Sequence, residues 1–346
     1  MIKAIEKEIA IRPLITDATG SPLITSLYFG GGTPSMLRID ELKCLLDTIH
    51  QRFQLIPDLE ITLEANPDDM KADSLKAWRE MGINRLSIGI QSFNDADLQW
   101  MNRSHDAAAA LHCMQAARDA GFDNFSIDLI YGMPGLSDEQ WAKNLQIATD
   151  ANVPHLSCYA LTVESQTPLE KKIRLHQKAP ADPEQQVRHF NWLMQHAENK
   201  GYLHYEISNF ALPGKESRHN SSYWSGVPYY GFGPSAHSFD GKKRQWNIAN
   251  NALYIRAIEC GQIPLEEEVL TPQQQLNEYI MTSLRTSKGV AIEQIRRLGG
   301  GEVVDGLLLK AAKHLSIGNL SETNDHYVLT PQGKHFADGI AADLFV

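Results

Sequence analysis

Cysteine is scarce and scattered in this chain of 346 residues. Its four cysteines, Cys44, Cys113, Cys158 and Cys260, lie far apart, which argues against a disulfide framework and offers no group at the spacing of a thiolate metal site. Positive charge is also in short supply: 32 Lys and Arg face 42 Asp and Glu, a formal net charge of -10. That balance disfavours a surface for non-specific binding to nucleic acid or anionic lipid. No apolar run is long enough to span a bilayer, and the N-terminus lacks the apolar segment of a signal peptide. Internal repeats and low-complexity segments are absent too. The expectation is a cytoplasmic protein that meets membranes only through partners, with length enough for a barrel core and a second, smaller domain.

What the chain does have is a series of apolar strands with polar ends. Ile24 to Phe29 runs straight into Gly30-Gly31-Gly32-Thr33-Pro34-Ser35, where residues without a Cβ leave backbone groups open to a ligand and Pro34 sets the turn before helix signals at Asp40-Glu41-Leu42. Such a turn can equally be a tight turn with no ligand. Four more β-branched runs follow between helical patterns. The run Leu59 to Leu63 ends at Glu64, then Asn66-Pro67; Arg85 to Ile90 ends at Gln91; Asn124 to Ile127 reaches Asp128 in a strand that finishes at Tyr131-Gly132; Leu156 to Leu161 ends at Thr162. Strands alternating with helices predict a parallel sheet of βα units, and right-handed crossovers bring these ends to one side, where βα barrels do chemistry. Taken singly, Glu64 or Asp128 could instead cap a loop or pair with a structural arginine.

With those motifs on view, the chain resembles radical S-adenosylmethionine (SAM) enzymes of the oxygen-independent coproporphyrinogen III oxidase group, and within them the HemW-type haem chaperone branch. The matching pieces are Tyr28 to Ser35, Glu64-Ala65-Asn66-Pro67, Gly89 to Phe93, Asn102-Arg103, Ile127 to Gly135, and His219-Asn220-Ser221-Ser222-Tyr223-Trp224. They keep the family order and cover nearly the whole chain. The resemblance implies a SAM pocket in which Gly31, Gly32 and Thr33 hold the methionine end, Glu64 accepts from the amino group and Arg103 meets the carboxylate. Gln91 and Asp128 would take the ribose hydroxyls, with Ala160 and its neighbours lining the adenine. A guanidinium suits a carboxylate because it can donate two parallel charge-assisted bonds; outside that series Arg103 would read as a solvated helix residue.

The family normally carries Cys-x3-Cys-x2-Cys after its first barrel strand, as ligands for a [4Fe-4S] cluster, and this sequence has no such motif. Cys44 and Cys113 fall in helical patterns and read as small buried apolar residues, and Cys158 falls in a strand. The opening Met1 to Ile9 places Ile2, Ile5 and Ile9 at helical spacing, so a helix comes first where a barrel should begin with a strand. The fold expected is therefore α/β: a partial (β/α)6 radical SAM barrel missing its first strand, with a C-terminal winged-helix-like α+β module. Two accounts of the missing part compete, a start codon placed too late and a paralogue that makes no cluster. The first is preferred, because SAM-pocket and haem-motif residues have no obvious reason to persist together without it.

A second constellation follows a predicted helix from about Pro183 to Asn199 and a strand-like Tyr202 to Ser208. His219 stands in the run from Arg218 to Trp224, ahead of Val227-Pro228-Tyr229-Tyr230-Gly231-Phe232-Gly233. An imidazole among aromatics and glycines suits a flat macrocycle, and it equally suits a packed aromatic loop in which the histidine bonds a neighbour. The resemblance selects the first reading: His219 as haem-iron ligand, with Asn220, Tyr223 and Trp224 around the haem, and His237 as a fallback ligand. From Thr271 the pattern becomes helices at 272–286, 291–298 and 303–315, a hairpin, and a last helix from Pro331. The third helix offers only Lys310 and Lys313, so the module reads as packing or partner recognition rather than DNA binding. The expected divisions are 1–215, the partial barrel; 216–262, the haem-motif region and linker; and 263–346, the winged-helix-like domain. Gly261 to Thr271 is the linker, with Glu266-Glu267-Glu268 a solvated run.

Three functions follow. The first is a haem chaperone that binds haem and passes it to an apo-haemoprotein on a SAM-binding scaffold. The second is an oxygen-independent coproporphyrinogen III oxidase, a reaction the chain as given cannot start without cluster ligands. The third is a cluster-free paralogue that binds SAM or a protein partner. Whether the chain is an enzyme stays open at this point, and no nucleic-acid partner is expected.

Overall fold

The structure is a computed structural model that describes residues 1–15 and 23–346. Strands β1 (Ile24–Phe29), β2 (Leu55–Ala65), β3 (Arg85–Gln91), β4 (Phe125–Tyr131), β5 (His155–Ala160), β6 (Leu203–Glu206) and β7 (Asn209–Ala211) form one curled sheet in the order β1-β2-β3-β4-β5-β7-β6. Its centre, β2 to β5, is parallel, and the β6–β7 hairpin closes the edge antiparallel to β5. The expected partial barrel is thus present as a half-barrel sheet.

Helices between the strands explain the parallel centre. Asp138–Asp150 starts on a capping box, Ser137 with Gln140, and buries Trp141, Leu145 and Ala148 at successive helical turns. Pro183–Asn199 has Asp182 accepting from the Glu184 N–H and a proline in its first turn, and it buries Phe190, Leu193 and Ala197. The strands contribute an apolar core, with Leu63, Leu86, Ile88, Ile90, Ile127, Leu129 and Leu156 leaving no exposed surface, beside buried polar residues such as Glu60, Arg85 and Ser157.

By contacts the chain divides into two compact units, Tyr28–Met36 with Ile61–Glu216, and Met1–Leu27 with Leu37–Glu60 and Ser217–Val346. The first lacks two stretches of the expected span 1–215, Met1–Leu27 with the N-terminal helix Ile2–Ile11 and Leu37–Glu60 with the helix Ile39–Arg52. A buried polar network accounts for the N-terminal helix. Glu8, with no exposed surface, accepts from Tyr254 Oη at 2.5 Å, Asn247 Nδ2 at 2.7 Å, the Gly233 N–H at 2.9 Å and Arg12 Nη1 at 3.2 Å. Arg12 in turn donates to Ser238 Oγ at 3.0 Å. Charged groups this deeply buried must be paired, so the helix is held to the segments that supply their partners.

In that second unit β8 (His237–Phe239), β9 (Lys243–Asn247) and β10 (Leu265–Val269) make a three-stranded antiparallel sheet. The segment expected as a linker, Gly261 to Thr271, therefore contains strand β10. Its acidic run is exposed, as expected, yet it is paired: Glu266 accepts from Trp246 Nε1 at 3.1 Å and Glu267 pairs with Lys243 at 3.1 Å. Cross-strand donors on β9 let three consecutive glutamates, poor strand formers, occupy an edge. The C-terminal module runs helix Pro272–Leu284, β11 (Val290–Ala291), helices Ile292–Gly299 and Gly301–Ser316, β12 (Leu320–Thr323), β13 (His326–Leu329) and a closing helix Ala337–Leu344, with its strands in the order β11-β13-β12. This is the winged-helix-like arrangement expected. Cys44 corrects another expectation: its helix, Ile39–Arg52, buries Leu42, Leu45, Leu46 and Ile49 and leaves Cys44 exposed on the other face.

Candidate functional site

At the C-terminal end of β1 the glycine turn is open. Gly31 and Gly32 have φ of +78° and +64°, and a Cβ on either would meet nothing within 4 Å. Both are left-handed positions with room beside the backbone, a cradle that side chains would fill. Glu64, near the end of β2, faces this turn: its Oε2 accepts from the Gly31 N–H at 3.0 Å and its Oε1 from Tyr28 Oη at 2.8 Å. Gly30 explains how close the strands come, since a Cβ there would lie 2.5 Å from Tyr28 Cε1 and 2.9 Å from Glu64 Oε1. Burial and the Glu64 charge push the Tyr28 hydroxyl far above its ordinary range, so it stays a donor.

The next group gathers around Gly89. A Cβ on Gly89 would fall 3.1 Å from Gln91 Nε2 and 3.2 Å from Arg103 Nη2, which puts these two side chains side by side. Gln91 has φ 68° at an irregularity of the β3–β4 register, a device that re-aims the last side chain of a strand. Arg103 Nη2 donates to Asn66 Oδ1 at 3.0 Å and to the Gly89 carbonyl at 3.2 Å, and among the described residues it makes no ion pair with a carboxylate. It is a loop residue between helices Asp95–Trp100 and Ala107–Asp119, oriented by those two acceptors. Asp128, half-buried on β4 opposite Ser157, is pushed up to about 7 by burial and then by the Glu64 charge, against a hydrogen bond from Ser157 and the charge of Arg103. Thr33 is half-buried in the turn, and Ala160 ends β5 opposite Tyr131.

The donor and acceptor set fits SAM: carboxylates for a cationic ligand, an arginine without a carboxylate ion pair among the described residues, and a glycine cradle. A cluster is not matched. Cys113 and Cys158 are buried, Cys44 and Cys260 exposed, and no group of three or more His, Cys, Asp or Glu among the described residues could hold a metal ion. Burial pushes the Cys113 thiol up to about 12 and that of Cys158 higher, so neither is a ready thiolate.

The haem-motif residues lie in the other unit, on a short helix, Arg218–Trp224, that the sequence did not announce. Ser217 caps it through the Asn220 N–H at 3.2 Å, and Glu60, 2 % exposed on β2, accepts from the Arg218 N–H at 3.1 Å and the His219 N–H at 2.8 Å. His219 Nδ1 lies 2.9 Å from Ser26 Oγ on β1. Burial lowers the His219 pKa, with Glu60 opposing, so the imidazole favours its neutral form. The same segment carries clustered aromatic rings: Tyr223 lies 5.6 Å from Trp224 and 5.4 Å from Tyr229 between centroids, and Trp224 Nε1 is a buried donor with no hydrogen-bond partner among the described residues. His237, the fallback, is exposed on β8 with its ring 6.2 Å from that of Trp246. Sequence reasoning gave no role to Ser26, Tyr28 or Glu60. Glu60 alone left a signal, a carboxylate between Leu59 and Ile61 in an otherwise apolar run.

Similarity to known proteins follows the same lines. A family description, Radical SAM superfamily, matches residues 11–148. The haem chaperone HemW of Bacillus subtilis is 36% identical over 322 residues, 91% of this chain and 84% of the relative. The haem chaperone HemW of Escherichia coli is 31% identical over 93% of this chain and 84% of the relative. Among solved structures, coproporphyrinogen III oxidase (HemN) from Escherichia coli, a radical SAM enzyme, superposes with a TM-score of 0.85 over 100% of this chain and 82% of its own, at 24% identity, which establishes a shared fold. With identities of this size over most of both lengths, the chain belongs to the HemW family of radical SAM proteins.

Proposed function

We propose that this protein is a haem chaperone: it binds haem with His219 as iron ligand and hands it to an apo-haemoprotein. The observation that carries the reading is the setting of His219, whose backbone N–H is held by Glu60 and whose Nδ1 is held by Ser26, on the same short helix as Tyr223 and Trp224. A neutral imidazole with a fixed orientation is what a haem iron takes as an axial ligand, and adjacent aromatic surface suits a porphyrin face. Trp224 Nε1, a buried donor without a partner among the described residues, supports a polar ligand edge nearby. Asn220 belongs to the same motif.

The scaffold binds SAM in this reading. Gly31, Gly32 and Thr33 cradle the methionine end, Glu64 accepts from its amino group, Arg103 holds its carboxylate, Gln91 and Asp128 take the ribose hydroxyls, and Ala160 lines the adenine. Bound SAM would supply a sulfonium centre; the four cysteines, two buried and two exposed, do not fit a [4Fe-4S] cluster. The C-terminal module serves packing or partner recognition, supported by its lysines, since Lys310 donates to the Phe345 carbonyl and Lys313 pairs with Asp343. No helix among the described residues is long and apolar enough to cross a membrane, which fits a cytoplasmic site of action with membrane contact through partners.

The test is haem titration of the full chain followed by the Soret band. His219→Ala is expected to weaken haem binding by about tenfold or more, or 1.4 kcal/mol, and unchanged affinity would refute His219 as ligand. Transfer is read by adding an apo-haemoprotein and following the appearance of its own haem spectrum. Calorimetry with SAM tests the second site separately.

A further inference from the structure

Two side chains outside the haem motif reach its histidine. Ser26 on β1 places Oγ 2.9 Å from His219 Nδ1, although 193 residues separate them. Glu60 on β2 accepts from the backbone N–H groups of Arg218 and His219 at 3.1 and 2.8 Å. The first sets the ring, and the second sets the backbone that carries it. Because Glu60 is 2 % exposed, its carboxylate has little water to turn to, so these bonds are strong constraints on where the helix Arg218–Trp224 begins.

In a neutral imidazole one nitrogen carries the proton and the other the lone pair, and the bond made by one decides the chemistry of the other. A serine hydroxyl can accept from Nδ1–H. The lone pair is then on Nε2, the only ring nitrogen from which an iron can be bound while the Ser26 contact persists. An acceptor on Nδ1–H also raises the donor strength of Nε2, as outer partners do for metal-bound histidines.

We propose that Ser26 is a positioning residue for the haem ligand: by accepting from Nδ1–H of His219 it selects the tautomer that presents Nε2 to iron, with Glu60 holding the backbone in register. The proposal rests on the reading of His219 as haem ligand. It concerns the chain's own residues and needs no cluster or SAM.

The experiment compares Ser26→Val with Ser26→Thr in the full chain. Both are β-branched and suit a strand, and they differ in the hydroxyl alone, so a loss of shape or folding affects them alike. Haem affinity is read by Soret titration and the iron–histidine stretching band by resonance Raman spectroscopy of the ferrous complex. Ser26→Val is expected to weaken haem binding by about tenfold, the lower end for outer partners of metal-bound histidines, and to move the band to lower frequency. Ser26→Thr should keep the parent values. Equal behaviour of the two variants, or an unshifted band in Ser26→Val, overturns the proposal. His219→Ala separates the two readings. If it abolishes the band while Ser26→Val leaves it unmoved, only the role of Ser26 fails; if the band survives in His219→Ala, the ligand assignment fails and this proposal with it.

Discussion

The guanidinium of Arg285 lies 4.9 Å from the centroid of the Trp224 indole. It also donates to Asp338 at 3.3 Å, an exposed partner that contributes little. The last residue of the haem-motif helix is thus packed against the end of Pro272–Leu284, the first helix of the C-terminal module. A cation over an indole contributes about 1 kcal/mol when partly desolvated. A double-mutant cycle of Arg285→Met and Trp224→Leu, measured by urea denaturation, should return a coupling of about that size. Zero coupling would mean that the two groups merely lie near each other.

Glu8 is expected to be among the most sensitive positions for stability. Glu8→Ala strands Arg12, 4 % exposed, together with Tyr254 and Asn247, and should cost about 3–5 kcal/mol, as for other broken buried pairs. The double variant Glu8→Ala, Arg12→Met should recover part of that loss, because it removes the stranded charge. Urea midpoints decide it: a single variant within experimental error of the parent would show the network to be dispensable.

Asp128 makes stability depend on pH. Its folded pKa is raised to about 7, so the folded state holds a proton that the unfolded chain releases near pH 4. The stabilisation from that proton is full below the unfolded pKa and is lost as pH rises through about 7. Asp128→Asn should therefore raise stability at pH 8 by on the order of 2 kcal/mol and flatten the slope between about pH 4 and 7. A slope unchanged in the variant would assign the titration elsewhere. If the carboxylate also accepts from SAM ribose hydroxyls, SAM affinity in the parent should increase from pH 6 to 8.

Gly30→Ala tests the close approach at the glycine turn. The new methyl would meet the Tyr28 ring and the Glu64 carboxylate, and moving them should weaken SAM binding about tenfold, or 1.4 kcal/mol. Overpacking should also lower stability by about 1–3 kcal/mol. Calorimetry showing parent-like SAM affinity would dissociate Tyr28 and Glu64 from the pocket.

The elements that the sequence announced are those with local signals. Strand β1 begins and ends where its apolar run does, and the helix Pro183–Asn199 has the bounds its cap and periodicity predicted. The segments that escaped notice were those whose stability comes from partners far along the chain. Strand β10 reads as a charged linker until β9 supplies Lys243 and Trp246 opposite its glutamates. Cys44 sits in the expected helix, yet which face that helix buries depends on what packs against it, and the packed face is that of Leu42, Leu45, Leu46 and Ile49.

By itself the sequence determined the alternation of strands and helices, the glycine turn and the polar residue at each strand end, because turn chemistry and hydrophobic period act over a few residues. It also carried the family motifs that single out Glu64, Arg103, Asp128 and His219. Tertiary structure alone decided the company each of these keeps: Tyr28 with Glu64, Gln91 beside Arg103, Ser26 with His219 and Glu60 beneath the helix that bears it. Hydrogen bonds across 36 to 193 residues have no periodic trace in a chain, since they form only once burial has removed water as the competing partner.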